Sequence, residues 1–146
     1  MRFRRRRDDQ STPASSPEPI PDPGPVPPGW EELEQDLTER AGRMAGDPAS
    51  ALVLMVDGTA HYVQWHGMGA DSLYLEASST MSEPRHERLA ALGWLPPRPD
   101  GPANTVNWNQ HRPAPVDAAG VARTTVHTLS DVYGARPSSI RVDVVA

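Results

Sequence analysis

The apolar positions of the segment GWEELEQDLTERAGRM predict a helix. They recur at steps of three and four residues, which places them on one face of a helix. Acidic residues occupy the first turn and arginines the last turn, as the helix dipole prefers. We expect this helix to bury one apolar stripe, which consists of Trp30, Leu33, Leu37, Ala41 and Met44.

A period of two follows and predicts three antiparallel strands. ALVLMV is a short apolar run that ends at Asp57-Gly58, a pair typical of a two-residue hairpin. The next segment, TAHYVQWHG, places Val63 and Trp65 on one side and polar residues on the other. After the turn MGAD, the segment SLYLEASS alternates again. We expect one face of this sheet to be apolar and the other to be mixed.

The second half of the chain predicts two more helices and two more strands. SEPRHERLAALG is typical of a short helix that ends at Gly93, and PVDAAGVARTTVHTLSDVYG of a longer one from Asp117 to Gly134. NTVNWNQ and SSIRVDVVA alternate as strands do. Gly120, inside the longer helix, either weakens its first turn or marks a close contact.

The order of these elements is α-β-β-β-α-β-α-β. Runs of strands with a few helices between them are typical of an α+β fold. We therefore predict an antiparallel sheet of about five strands with the helices packed on one face.

Residues 1–29 predict a tail outside this domain. Proline alternating there with polar residues cannot bury apolar surface, so we expect residues 1–29 to be disordered and residues 30–146 to form the domain. The leader opens with arginines that are answered at once by Asp8 and Asp9. Such a run either docks on nucleic acid or anionic lipid, or is a solvated leader.

Composition narrows the classes of function. The net charge of -5 argues against coating nucleic acid, and the absence of cysteine excludes disulfides, thiolate zinc sites and thiol nucleophiles. All 14 basic residues are arginine, which indicates a GC-rich genome such as that of an actinobacterium. No apolar run approaches the ~20 residues that span a bilayer, and none of secretory type follows the arginines. We expect a cytoplasmic protein.

No motif predicts catalysis or a metal site. His61 and His66 point to opposite faces of a strand, and the other histidines lack the spacing of metal ligands. A surface side-chain pair explains His127 and Asp131, which are four residues apart on a helix. We expect Glu76 to face solvent. The serines lie outside a nucleophile elbow, and no glycine-rich loop opens a helix, so we expect neither an enzyme nor a cofactor.

The tryptophans are the remaining feature. Trp30 heads a helical stripe, so we expect it in the core. Trp65 and Trp108 share strand faces with valines and are either core residues or contacts to a partner, because such aromatics are enriched in binding hot spots. Trp94 either packs its loop onto the sheet or offers an aromatic shelf. The candidate partner-binding residues are Val63, Trp65, Trp94, Val106 and Trp108.

Five segments together resemble the actinobacterial TY-Chap domains, namely GWEELEQDL, ALVLMVDGTAHYVQW, LAALGWLPP, NTVNWNQ and PVDAAGVARTTVHTLSDVYG. That family is grouped with the enterobacterial YbjN proteins and with type III secretion chaperones of the CesT and YopN-chaperone kind. The resemblance covers Trp30 to Val145. It implies a secretion-chaperone-like α+β fold, a homodimer, and binding of peptides or partner proteins without catalysis or cofactor. Unlike those secretion chaperones, this chain ends on a strand and carries a proline-rich leader.

Two functions from different classes follow. The first is a non-enzymatic, chaperone-like module that binds a peptide or partner protein at a sheet edge or in an apolar groove. The hairpin Ala51–His66 and the strand around Trp108 are the candidate edges, because both combine β propensity with aromatic anchors. The alternative is a regulatory or accessory protein that contacts nucleic acid or another acidic partner through its arginine-rich leader.

Overall fold

A computed structural model describes residues 20–79, 82–98 and 106–145. The described residues form five strands, which are β1 Ala51–Val56, β2 Tyr62–Gly69, β3 Ser72–Ala77, β4 Trp108–Arg112 and β5 Ile140–Val145. Their helices are α1 Glu31–Met44, α2 Glu83–Ala91 and α3 Ala118–His127. A π-helical turn over Thr128–Val132 extends α3, and a 3-10 turn over Pro137–Ser139 precedes β5.

The strands form one antiparallel sheet in the order β4-β3-β2-β1-β5. The predicted α+β class and the predicted order of elements are therefore confirmed. None of the described helices combines the length and the hydropathy needed to cross a membrane.

The core lies between the sheet and the helices α1 and α3. Trp30 is 3% exposed, as its place at the head of the first helical stripe predicts. Alternate residues of the three central strands point toward the helices and are buried, because neighbouring side chains of a strand face opposite sides. These residues are Leu52, Leu54, Val56, Val63, Trp65, Leu73, Leu75 and Ala77.

The turn predicted at MGAD is confirmed, whereas the first hairpin turn differs from the sequence prediction. The two-residue turn lies at Ala70 and Asp71, whose φ angles of 52° and 57° are those of a type I′ turn between Gly69 and Ser72. The predicted two-residue hairpin at Asp57-Gly58 is wrong, because the pairing of β1 with β2 ends at the bond from Val56 N–H to His61 O. The connection is therefore longer than two residues.

Two glycines permit close contacts that no larger residue would allow. A Cβ at Gly67 would lie 2.0 Å from the carbonyl oxygen of Asp47, so the loop between α1 and β1 rests directly on β2. A Cβ at Gly120 would lie 2.5 Å from a carboxylate oxygen of Asp117, which caps α3 by accepting from the Gly120 N–H at 3.1 Å. The close-contact reading of Gly120 is thus the correct one.

Tyr133 ties the end of the π-helical turn to the end of β3. Its hydroxyl donates to the Ser78 carbonyl at 2.8 Å, and its ring stacks on His61 with centroids 4.4 Å apart. Burial raises the pKa of Tyr133 to about 12, since the phenolate would lose its hydration. Burial, and then the charge of Arg85, lower the pKa of His61.

Candidate functional site

Four of the five residues predicted to contact a partner lie in the core. Val63 and Trp65 are fully buried, Trp94 is 2% exposed and Trp108 is 6% exposed, whereas Val106 is 67% exposed. Trp94 therefore packs its loop onto the sheet, which is one of the two alternatives predicted for it. Trp65 and Trp108 are core residues, as one of their two alternatives states. A contact between these four side chains and a partner stays a prediction that would require the core to open.

Threonines of α3 and of the turn after it explain why two of the tryptophans can be buried. The indole N–H of Trp65 donates to Thr125 Oγ1 at 3.1 Å, and that of Trp94 donates to Thr128 Oγ1 at 3.0 Å. A buried indole needs such an acceptor, since an unsatisfied donor in the core is costly. The signal in the sequence is RTTVHT, where hydroxyls recur on the buried face of a helix.

The outer edge of β5 has open backbone groups. Asp57 N–H donates to Ser139 O at 2.8 Å, and these residues lie in register with the β1–β5 pairs. Hydrogen-bonded pairs alternate along an antiparallel ladder, so Ile140, Val142 and Val144 direct their N–H and C=O groups away from β1. The Ile140 N–H donates to the Pro137 carbonyl in the 3-10 turn, which leaves its C=O open. No described strand pairs with Val142 and Val144 on this side.

The side chains of β5 divide between the two faces of the sheet. Ile140 and Val142 pack against the core, and Val144 is 60% exposed on the same face. Arg141 and Asp143 lie on the opposite face and approach each other at 3.9 Å between Nε and Oδ2. This pair carries no net charge, so it presents no single-sign field to an approaching strand.

The opposite edge, at β4, is closed at one position. Leu95 and Asn109 exchange two backbone hydrogen bonds of 2.9 and 3.0 Å, and Gln110 Nε2 donates to the Leu92 carbonyl at 3.0 Å. The next residue that faces outward, His111, has no backbone hydrogen bond to another described residue on that side. The edge prediction for the strand around Trp108 is confirmed, although this edge is partly covered.

The predicted edge at the hairpin Ala51–His66 is wrong. β1 pairs with β5, and β2 pairs with β3, so both strands of this hairpin lie inside the sheet. The aromatic residue Trp65 is central for the same reason. The sheet margin belongs instead to β5, which carries no aromatic residue.

A groove of about 1240 Å³ lies beside the open part of β4. Its walls are mostly apolar and include Trp94, Leu95, Pro113 and Pro115. Arg112 lines the same groove and is 7% exposed, with its Nε bonded to Gln110 Oε1 at 2.9 Å and its Nη2 to Thr124 Oγ1 at 2.9 Å. Gln110 and Arg112 were not among the predicted site residues, although continued alternation from Trp108 places both on the inward face.

Residues 22–25, part of the segment that we assigned to the tail, contact α3. Asp22 accepts from the Gly24 N–H at 2.9 Å and from Arg123 at 3.0 and 3.1 Å, and these bonds, the one from Gly24 first, hold the pKa of Asp22 below its usual value. The imidazole Nε2 of His127 lies 3.0 Å from the Pro25 carbonyl oxygen. The predicted tail before residue 20 lies outside the described residues.

A turn in the segment brings both contacts onto the helix. The Gly24 N–H donates to Asp22 Oδ1 at 2.9 Å, and Gly24 has a φ angle of 87°, which favours glycine. The turn places Asp22 at Arg123 and the Gly24 carbonyl 3.3 Å from His127 Nε2. Arg123 and His127 are four residues apart and so lie on the same face of α3.

The face of the sheet opposite α1 and α3 holds a cluster of polar side chains. Glu76 accepts from Asn107 Nδ2 at 3.0 Å and lies 3.4 Å from His66 Nε2. The same Asn107 nitrogen is 3.0 Å from the Tyr62 hydroxyl, and burial followed by the charge of Glu76 raises the pKa of Tyr74. Glu76 thus lies on the side away from the apolar face, as predicted, but it is half-buried and hydrogen-bonded.

Other titratable groups form pairs. The predicted pair of His127 and Asp131 is confirmed at 2.8 Å between Nδ1 and Oδ2. Within the described ranges, no three His, Asp or Glu residues lie close enough together to hold a metal ion.

Comparison with known proteins identifies the family. The model of the family described as "T3SS (YopN, CesT) and YbjN peptide-binding chaperone 3", TY-Chap3, matches residues 24–146. The chain belongs to this family, and the match begins within the segment that contacts α3. No curated protein matches the chain. No solved structure matches it either.

Proposed function

We propose that this member of the peptide-binding chaperone family binds an extended segment of a client protein along the outer edge of β5. The open N–H and C=O groups of Val142 and Val144, together with the Ile140 carbonyl, carry this proposal. They can pair with the backbone of an added strand, as in other cases of β-augmentation. Catalysis has no part in this function.

The edge is suited to clients of varied sequence. Its hydrogen bonds come from the backbone, so they require an extended chain and no particular side chain. Val144 offers an exposed apolar contact on the helix side of the sheet, and Arg141 with Asp143 offers charges on the other side. A client with alternating apolar and polar residues matches this arrangement.

Amide hydrogen exchange of the full chain tests the proposal. The probe is a terminally blocked peptide of alternating valine and threonine, in excess over the protein. We expect exchange to slow at Val142 and Val144, whose N–H groups point outward. Arg141 and Asp143 are the internal controls, because their N–H groups already face β1. Protection confined to residues outside β5 would reject this edge as the binding site.

A matched pair of variants at one position tests the same edge independently. Val142→Pro removes an outward N–H without removing a bond to β1, and edge strands tolerate proline in this way. Val142→Thr keeps the N–H and the β-branched shape. We expect calorimetric titration with the same peptide to show weaker binding only for Val142→Pro. Equal affinities of the two variants would contradict strand addition.

The homodimer and the cytoplasmic location that we predicted also belong to this proposal. A second copy could pair its own β5 with this edge, and clients would then compete with dimer formation. Sedimentation of the free chain distinguishes the cases, since self-pairing through β5 predicts a dimer that Val142→Pro weakens. Binding of nucleic acid or another acidic partner through the arginine-rich leader stays a prediction.

A further inference from the structure

The groove beside β4 contains a buried cation that the described part of the fold does not neutralise directly. Two nitrogens of Arg112 donate to the neutral oxygens of Gln110 and Thr124. Its third nitrogen, Nη1, donates to no other described residue, and no described carboxylate forms a salt bridge with the guanidinium. A buried charge without a direct partner is costly, which makes this site a candidate for binding an anion.

The two acidic residues whose charges act on Arg112 each accept a hydrogen bond from another group. Asp117 accepts the N–H of Gly120, and Asp22 accepts both nitrogens that Arg123 presents. Both carboxylates act on Arg112 only at longer range: burial lowers the pKa of Arg112, and these charges oppose that shift. Neither acid fills the role of a hydrogen-bonded counter-ion.

We propose that this groove binds the carboxylate of an acidic side chain in an extended, proline-containing peptide, with Arg112 as its cation. The positive charge of Arg112 favours a negatively charged partner, because a guanidinium binds a carboxylate through charge-assisted hydrogen bonds. The backbone of His111, which faces outward past the Leu95–Asn109 pair, provides a donor and an acceptor for the peptide main chain. This site lies at the opposite edge of the sheet from β5 and is independent of strand addition there.

The chain itself shows which apolar residues fit at the mouth of the groove. Ile20 and Pro21 lie there against Gly93, where an added Cβ would be 3.1 and 3.0 Å from their side chains. The remaining walls, Leu95 and Pro115 among them, offer further apolar surface. A peptide that carries an apolar–proline pair next to an acidic residue thus matches both the walls and the cation.

The deciding experiment compares two peptides on the unaltered full chain. Calorimetric titration is carried out with the terminally blocked peptide Pro-Glu-Pro-Ile-Pro and with the same peptide carrying glutamine in place of glutamate. Loss of one charge-assisted hydrogen bond predicts binding weaker by about tenfold or more for the glutamine peptide. The NMR signals of the Arg112 side chain are expected to shift with the glutamate peptide only.

The variants Arg112→Gln and Arg123→Gln remove the same charge from two positions. Only Arg112→Gln is expected to abolish the preference for glutamate, and circular dichroism confirms that each variant is folded. Because the peptide comparison uses the unaltered chain, a variant that does not fold leaves the proposal testable.

Three results would overturn the proposal. The first is equal affinity for the two peptides, or signal shifts confined to residues away from Arg112. The second is a response that appears only on dilution of a self-associated chain, which would assign the groove to a second copy. The third is binding of the glutamate peptide only to the full chain that carries Glu18→Gln. In that case the protein's own leader would occupy the groove of the unaltered chain.

Discussion

The two edges of the sheet present different chemistry to a partner. At β5, alternate backbone groups are open and the side chains are either apolar or mutually paired. At β4, Leu95 already occupies one backbone position, and a groove with a buried arginine lies beside the next. An open backbone edge accepts many sequences, whereas a buried cation selects for an anion. One small sheet can therefore combine a permissive edge with a selective one.

The largest effect on the free energy of unfolding is expected where a substitution removes a hydrogen bond between β5 and β1. In Asp143→Pro the missing N–H is one that faces β1, so a bond of the ladder is lost and the free energy of unfolding falls by about 2 kcal/mol or more. Val142→Pro is the control, since its N–H faces outward and its loss should cost little. Urea unfolding of both variants measures the difference. Similar losses would contradict the assigned register of β5.

The folded chain is expected to lose stability at high pH, because Tyr133 lies in the core between the two edges. The pKa of Tyr133 is about 12 in the folded chain, whereas an unfolded tyrosine titrates near 10. The unfolded state therefore loses its proton first, and stability present below pH 10 is lost by about 2–3 kcal/mol as the pH rises to 12. Because the chain has no lysine, few other groups titrate in this range.

Urea unfolding of the parent chain and of Tyr133→Phe from pH 9 to 12 measures this loss. The phenylalanine variant should lose most of the pH dependence. The remainder comes from groups such as Tyr74, whose pKa is raised as well. A variant with the full dependence would show that another group is responsible.

A third change should make the β4 edge resemble the β5 edge. Leu95→Pro removes the N–H that donates to Asn109 O and leaves that acceptor open, at a cost of about 1 kcal/mol. Leu95→Ala keeps the bond, and because the side chain is 58% exposed it is a mild control. Calorimetry with the valine–threonine peptide is expected to show a second site only in Leu95→Pro. An unchanged stoichiometry would indicate that the groove walls block this edge.

The smallest effect is expected at the N-terminal segment. Arg123→Ala removes the ion pair with Asp22, and an exposed pair of this kind contributes little to the melting temperature. NMR spectra should nevertheless show faster exchange at Gly24, whose N–H depends on the placement of Asp22. Arg40→Ala removes a surface ion pair within α1 and serves as the control. Unchanged exchange at Gly24 would show that Arg123 does not hold the segment.

Local patterns in the sequence predicted the elements, but not the neighbours of each strand. Periods of two and of three to four residues are properties of consecutive residues, so the helix stripe of Leu37 and the alternation of β5 could be recognised directly. The pairing of Val56 with Ile140 joins distant parts of the chain and depends on the packing of α3 between them. The open edge was therefore assigned to the wrong hairpin.

The candidate site was harder to predict for a related reason. Alternation places Trp65 and Trp108 on one face of the sheet, but it does not state whether that face is covered. The hydroxyl of Thr125, which allows the indole of Trp65 to be buried, lies on another element. Arg112 continues the inward alternation of Trp108, and a charged residue in such a position was the available signal.

The burial of the tryptophans gives the protein an intrinsic optical reporter. Trp94 lines the groove beside β4, and no tryptophan lies on β5. The fluorescence of an indole depends on the polarity around it and on the hydrogen bond of its N–H. Emission should therefore respond when a molecule fills the groove and stay constant when a strand adds to the far margin, so the unlabelled chain can report which of its two sides is occupied.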